Sequence, residues 1–136
     1  MADVSVTATT VAPIANSTRL LQDITWGGTV TAGQPVYKDS SGTYQAADAN
    51  SSATTAKAVG IAMTGGASGQ SGVIAIGGTY TCGFTATAGA WYIVSATAGG
   101  IAPVADQTTG WIPCLVGYAT TTAIVSIQII STGITL

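Results

Sequence analysis

TAGQPVY at residues 31–37 returns later in the chain as TAGAWYI at residues 87–93. After each copy, three further landmarks follow in the same order: a glycine turn, an Ala-Asp pair and a Val-Gly-X-Ala stretch. These landmarks are Ser41-Gly42 and Gly99-Gly100, Ala47-Asp48 and Ala105-Asp106, and Val59-Gly60-Ile61-Ala62 and Val116-Gly117-Tyr118-Ala119. Self-similarity in a fixed order indicates a tandem duplication, with repeat one at about residues 29–80 and repeat two at about residues 86–130.

Both repeats have the composition of β-structure. Threonine, valine, isoleucine and glycine recur throughout, whereas glutamate is absent, so we expect strands and turns with almost no helix. Near the C-terminus, Val125, Ile127 and Ile129 alternate with more exposed positions, which predicts a strand with one face in the core. Further strands are predicted at residues 20–26, 35–38, 43–46, 58–63, 73–77, 80–84, 91–95 and 115–119.

A single meander of this length has one apolar face and is too small to be stable alone. Two of them are expected to close face to face. The sequence therefore predicts an all-β fold, a compact β-barrel or β-sandwich built from two tandem, pseudo-symmetric β-meander repeats. We expect residues 19–136 to form this single domain.

The first residues of the chain lie outside the repeats. Residues 1–18 mix threonine, alanine and valine around Pro13 without turn motifs, which predicts an extended N-terminal arm. An apolar extended segment can add a strand to the edge of a partner's sheet. The predicted partner-contact residues are Val4, Val6, Val11, Pro13 and Ile14. The alternative is a disordered tail.

Charge is scarce: of 136 residues, 47% are hydrophobic and only 6% are charged, and the net charge is -2. Such a surface is expected to face other subunits, because charge is what keeps free domains apart. The three basic residues are scattered, so nucleic-acid binding is not predicted. The N-terminus lacks the pattern of a secretory signal and no stretch predicts a membrane span, so the product is expected to stay where it is made.

Catalytic and cofactor chemistry finds no support in the residue types. There is no histidine, so no serine or cysteine nucleophile has an imidazole base, and no enzyme, metal site or cofactor is predicted. Asp48 and Asp106 are expected to cap Asx turns in corresponding loops rather than to form a catalytic pair. Cys82 and Cys114 are expected to be buried free thiols, with a single bridge as the alternative.

Two features leave a choice open. The glycine-rich residues 65–72 resemble a phosphate loop but lack its Gly-Lys-Ser/Thr ending, so a flexible hairpin loop is the preferred interpretation. The three tryptophans and five tyrosines are expected to fill a core and a subunit interface, with a sugar-stacking platform as the alternative.

The order TAGQPVY, DSSGTYQAAD, AVGIAMTGGASGQSGVIAIGGTY, over about residues 29–80, resembles the capsid cement or head-decoration proteins of tailed bacteriophages. Residues 87–130 resemble the same unit more weakly, since they lack the Gly-Gln turn. We therefore expect the pseudo-symmetry to fail at the loop formed by residues 65–72.

This resemblance implies a structural virion protein, made in the host cytoplasm, that binds the outer surface of the capsid. It implies a homotrimer that clamps neighbouring subunits of the major capsid protein, and no cofactor. A phage tail, fibre or baseplate component and a carbohydrate-binding β module are the alternatives. A small hydrolase is the weakest, because catalysis would depend on aspartates alone.

Overall fold

The computed structural model describes residues 3–136, and nearly all of its regular structure is β. The strands are β1 (Ala12–Pro13), β2 (Arg19–Thr25), β3 (Pro35–Lys38), β4 (Tyr44–Ala46), β5 (Gly60–Ala62), β6 (Ser71–Gly77), β7 (Thr79–Thr81), β8 (Trp91–Val94), β9 (Ile101–Pro103), β10 (Cys114–Ala119) and β11 (Ile124–Ser131). One helical turn, α1 (Ala53–Ala56), and 3-10 turns at Ala8–Thr10 and Val104–Asp106 complete the elements.

The strands form two antiparallel sheets. The five-stranded sheet has the order β2-β6-β5-β3-β4, and the six-stranded sheet has the order β1-β7-β11-β10-β8-β9. An all-β fold of the sandwich or barrel type is therefore confirmed, as is the near absence of helix.

Without β1, the two sheets have the same order of connections, with β2 to β6 in one corresponding to β7 to β11 in the other. The glycines of both TAG turns, Gly33 and Gly89, have positive φ angles of 96° and 84°. Gly42 and Gly99, in the two hairpin turns that follow, also have positive φ. Glycine is the residue that adopts this conformation without strain. The shared order supports the predicted duplication, while pseudo-twofold symmetry between the halves stays a prediction.

The main core joins the two sheets. Ile61 and Ala75 of the five-stranded sheet pack in one cluster with Tyr80, Val116 and Val125 of the six-stranded sheet. The predicted alternation near the C-terminus is confirmed, because Val125 and Ile127 are buried and Ile129 packs against the same cluster.

A second cluster lies on the other face of the five-stranded sheet, where Trp26 is completely buried among residues that include Val36, Ala62 and Ile74. Strand neighbours such as Ile61 and Ala62 belong to different clusters because successive side chains point to opposite faces. A Cβ atom at Gly72 would collide with the indole of Trp26. Glycine at position 72 is therefore needed to seat this tryptophan.

The loop between β5 and β6 differs from the corresponding loop between β10 and β11, as expected. Residues 63–70 connect β5 to β6, and the N–H of Val30 donates to the carbonyl of Gly66 at 2.9 Å while the N–H of Trp26 donates to the carbonyl of Gln70 at 2.9 Å. The corresponding connection from β10 to β11 is the shorter segment 120–123. The glycine-rich loop is thus a hairpin connection that helps to cover Trp26.

Residues 3–18 contact the six-stranded half of the domain, while the boundary predicted at residue 19 stays a prediction. The N–H of Val4 donates to the carbonyl of Ile101 at 2.9 Å, and the N–H of Thr7 donates to the carbonyl of Gly83 at 2.7 Å. β1 then pairs with β7. The segment docks because strand edges of the six-stranded half offer partners for its backbone groups. Met1 and Ala2, also predicted to be part of the arm, lie outside the described residues.

Candidate functional site

The five predicted partner-contact residues mostly face their own domain. Val11 is 8% exposed and belongs to the main core, and Val4 and Val6 are half-buried against that core. Ile14 is half-buried, whereas Pro13 is exposed on the edge strand β1. The side chain of Val11 packs inside the domain, and the predicted partner contacts of the five residues stay a prediction. Of the five, Pro13 alone is fully open to a partner.

Most of the aromatic residues fill the core. Trp26 and Tyr80 are completely buried, and Phe84 and Tyr92 pack edge to face with ring centroids 5.2 Å apart. One aromatic pair lies towards the surface, where Trp91 is 36% exposed and its ring centroid is 5.1 Å from that of Tyr118. Among the aromatic residues of 3–136, Trp91 alone is exposed, so it is the part of the alternative sugar-stacking platform that is most open to a ligand.

The two aspartates of the Ala-Asp pairs have different surroundings. The carboxylate of Asp48 accepts a hydrogen bond from the N–H of Asn50 at 3.2 Å, which confirms its predicted Asx turn. The carboxylate oxygens of Asp106 are inaccessible to solvent and have no hydrogen-bond partner among residues 3–136. The predicted cap at Asp106 is wrong: no N–H in the described part of the chain reaches its carboxylate, and the residue ends a 3-10 turn in which the N–H of Gln107 donates to the carbonyl of Val104.

Both cysteines are free and buried, as predicted. The Cys82 thiol donates to the carbonyl of Phe84 at 3.3 Å, and burial raises the pKa of Cys82 and that of Cys114. Raised thiol pKa values lower the thiolate fraction and with it reactivity. Across residues 3–136 no three cysteine or acidic side chains converge as a metal site would require. That same part of the chain holds no helix of a length and apolarity that could cross a membrane.

Strand β2 lies at one edge of the five-stranded sheet, and the residue just after it, Trp26, bridges Tyr44 of β4 at the other edge. Its side chains are exposed except at Ile24, and Leu20 and Leu21 are 37% and 38% exposed. Ile76 on the neighbouring strand β6 is 39% exposed. Apolar residues on an unpaired strand edge are unusual for a free domain, which normally blunts such an edge with charge or a covering segment. We call β2 and its exposed side chains the β2 edge.

A second surface feature is a groove of about 680 Å³ lined by Lys38, Ala53, Thr54, Lys57, Val59, Ser131, Thr132 and Gly133. It contains both lysines of the chain and no aspartate. Nζ of Lys38 lies 6.0 Å from the ring centroid of Tyr44, within the range of a cation–π contact. We call it the lysine groove.

Two smaller hollows border the N-terminal segment. One of about 400 Å³ lies between Thr7, Thr10 and Phe84, and the other, of about 210 Å³, lies between Asp3, Gln34 and Gly99. Each is a gap beside the docked segment. Neither brings together groups that suggest a reaction.

Two of these features, the β2 edge and the lysine groove, were not predicted from the sequence. Strand β2 was predicted, but its place at an open edge depends on sheet order. The groove depends on residues far apart in the chain. A comparison of the chain with protein-family models finds no matching family, and a comparison with curated proteins finds no relative.

Proposed function

We propose that this chain is a structural virion protein that decorates and stabilises the outer surface of a phage capsid. It binds as a homotrimer between subunits of the major capsid protein, after synthesis in the host cytoplasm. The proposal combines the residue pattern of residues 29–80 with the surface of the folded chain.

The observation that supports it best is the exposed apolar surface. Within residues 3–136 eight large hydrophobic side chains are exposed in a chain that has only eight charged residues. They are Leu20, Leu21, Ile76, Trp91, Val104, Ile130, Ile134 and Leu136. Such side chains, with little charge between them, are typical of a protein whose surface is covered in an assembly.

Repetition supplies the strength of such an assembly. A trimer that has bound through one subunit presents the other two at high effective concentration, so modest contacts add up to a high avidity. Neither a deep pocket nor a cofactor is needed for this mechanism. The fold suits it, because two packed sheets form a rigid body that transmits load between the subunits it touches.

The test is co-sedimentation of the purified chain with empty, expanded phage heads. We expect binding in hundreds of copies per particle and a higher temperature of head disruption when the sites are filled. A chain that stays in the supernatant at every concentration would contradict the proposal. A few copies per particle would instead favour a tail, fibre or baseplate component.

Because the N-terminal segment packs against the domain, its role in binding the shell is better tested by substitution than by deletion. Deleting residues 2–16 would remove Val11 from the core, so lost binding would not distinguish misfolding from a lost contact. Pro13→Ser changes the exposed predicted contact without touching the core. If the segment binds the shell, this variant should bind more weakly than the matched surface variant Thr9→Ser, with unchanged unfolding temperature for both.

The aromatic pair keeps a carbohydrate-binding module as the second candidate. Trp91 and Tyr118 could stack on a sugar ring, since aromatic faces bind apolar faces of sugars. Glycan titration followed by tryptophan fluorescence tests this, because Trp26 is fully buried and Trp91 is exposed. A saturable change that disappears in Trp91→Ala would support the carbohydrate module over the virion protein.

A further inference from the structure

The lysine groove is opposite in charge to the rest of the chain. It holds two of the three basic residues, and the remaining charged residues are five aspartates and Arg19. The carboxylates of Asp39 and Asp48 accept hydrogen bonds within their own turns, and neither residue lines the groove. A partner for this groove should therefore supply a carboxylate next to apolar side chains that fit Ala53 and Val59.

The β2 edge offers that combination. Asp23 is exposed and has a positive φ of 59° at a bulge, where the pairing register with β6 shifts between Leu21 and Ile24. A bulge redirects the side chain of the extra residue and bends the strand. Leu21 lies two residues before Asp23 and is 38% exposed, whereas Leu20 points to the other face of the sheet.

The two surfaces of one chain lie apart. Lys38 is on β3 and pairs with Tyr44 of β4, which in turn bridges Trp26, the residue just after β2. Lys38 is therefore two strand spacings, about 10 Å, from Trp26, and Asp23 lies a further three residues, about 10 Å, back along β2, so its carboxylate does not contact the lysines of the same chain. A contact between them must join two copies. It is heterologous, because different surfaces meet, and such contacts build rings when the rotation between copies closes.

We propose that the lysine groove of one copy binds the β2 edge of a second copy of this chain, with the carboxylate of Asp23 between Lys38 and Lys57 and Leu21 against Val59. This inference rests on the self-assembly part of the proposed function. It identifies which surfaces make the subunit contact, and a trimer is one of the rings it allows. Leu21 supplies apolar burial, and the charges fix which surfaces meet.

Charge reversal tests the pairing directly. The proteins compared are the unchanged chain, Asp23→Lys, the double variant Lys38→Asp/Lys57→Asp, and a chain with all three changes. Sedimentation velocity gives the dissociation constant of each. Asp23→Lys and the double variant are each expected to weaken self-association by about tenfold or more, since like charges then face each other. The chain with all three changes restores opposite charges and should assemble again.

Mixing provides a second test. Asp23→Lys presents lysine on both surfaces, and the double variant presents aspartate on both, so each should be monomeric alone and the two should associate when mixed. Thr87→Lys, an exposed change outside both surfaces, serves as the control and should assemble like the unchanged chain. Far-UV circular dichroism and unfolding temperature show whether each variant is folded, and Asp23→Asn with Lys38→Gln/Lys57→Gln replaces any that is not.

Three results would overturn the inference. The first is an unchanged chain that stays monomeric up to its solubility limit. The second is a double variant that assembles normally, which would leave the groove without a role. The third is a triple variant that fails to recover although it is folded. None of these depends on phage heads, so the capsid proposal is judged separately by co-sedimentation.

Discussion

Strands β2 and β7 hold the same place in the two sheets, next to β6 and β11, but their outer edges differ. β1 covers the outer edge of β7, and Tyr80 on β7 is completely buried. Within residues 3–136 no strand pairs along the outer edge of β2 itself; the single bridge on that side joins Trp26, just after β2, to Tyr44 of β4, and Leu20 and Leu21 are exposed. The N-terminal segment thus protects one edge of the fold and leaves the corresponding edge open.

This difference shows that the strand order shared by the two sheets does not require the edge at β2 to be exposed. The same strand order accommodates an added strand in the second half. An uncovered apolar edge is a hazard for a free protein. A docking role for β2 would explain why its outer edge stays exposed while β1 covers the corresponding edge of β7.

The largest expected effect is a difference in stability between a substitution in β7 and one in β2. Tyr80→Ala should lower the free energy of unfolding by about 3–5 kcal/mol, because it empties a buried aromatic site, while Leu21→Ala should lower it by less than about 1 kcal/mol. Urea unfolding of the monomeric state measures both. Tyr80→Phe is the control: the hydroxyl is buried without a hydrogen-bond partner in the described part of the chain, so its removal should cost nothing. Equal losses of unfolding free energy for Tyr80→Ala and Leu21→Ala would contradict the predicted difference between β7 and β2.

The next effect concerns the N-terminal segment, whose strand β1 covers the outer edge of β7. Val11→Ala should lower the free energy of unfolding by about 2 kcal/mol, because it removes two buried methyl groups next to the β1 pairing. Pro13→Ala, on the exposed side of the segment, should change it by less than about 0.5 kcal/mol. Thermal unfolding followed by circular dichroism measures both. Val11→Ala with unchanged stability would show that the segment contributes little to the fold.

A smaller effect is expected where Asp3 meets the β8–β9 turn. The buried hydroxyl of Ser95 donates to the carboxylate of Asp3 at 2.6 Å and accepts from the N–H of Thr97 at 3.0 Å. Ser95→Ala should lower the free energy of unfolding by about 1–3 kcal/mol, since both partners lose a hydrogen bond. Ser126→Ala is the control on β11. In a double-mutant cycle, Asp3→Ala should have little further effect once Ser95 is replaced.

The smallest effect lies at the corresponding turn of the first half, where Asp39 stands in place of Ser95. Hydrogen bonds from the Thr43 hydroxyl and the Gln45 amide lower the pKa of Asp39 from 3.8 to about 2. Its contribution to stability is therefore present above pH 4 and is lost as the pH falls from about 4 to 2. The difference in unfolding temperature between the unchanged chain and Asp39→Asn should shrink over this range. A constant difference from pH 6 to pH 2 would contradict it.

Features that depend on neighbouring residues in the sequence, such as strand alternation and turn glycines, were predicted correctly. The alternation at Val125 and Ile127 gave β11 and its buried face, and the glycines of the TAG turns marked where hairpins begin. The predicted strand at residues 80–84 ends early, at Thr81, because Gly83 has a φ of 77° that breaks the extended conformation.

Elements that depend on distant partners were missed. β1 contains Pro13 and is defined only by its pairing with β7, so its residues alone predicted an extended arm without a partner inside the domain. Helix α1 begins at a reciprocal cap between Ser52 and Thr55, with threonine where a capping box usually has glutamate or glutamine. β9 could have been found, because the repeat places it at the position of β4. The lysine groove depends on the approach of residues 131–133 to α1, which no local pattern encodes.

The contacts of the N-terminal segment also order the events of synthesis. The five-stranded sheet is complete in sequence at Gly77, so it can form while the second half is still being translated. Val4 must wait for Ile101, and Asp3 for Ser95, so this segment, although it is translated before both sheets, is among the last to be fixed. Closing loops of this length carries an entropic cost that is recovered only when both halves are present. The docked segment therefore acts as a closing step, and until it docks a nascent chain exposes the outer edge of β7 as well as that of β2.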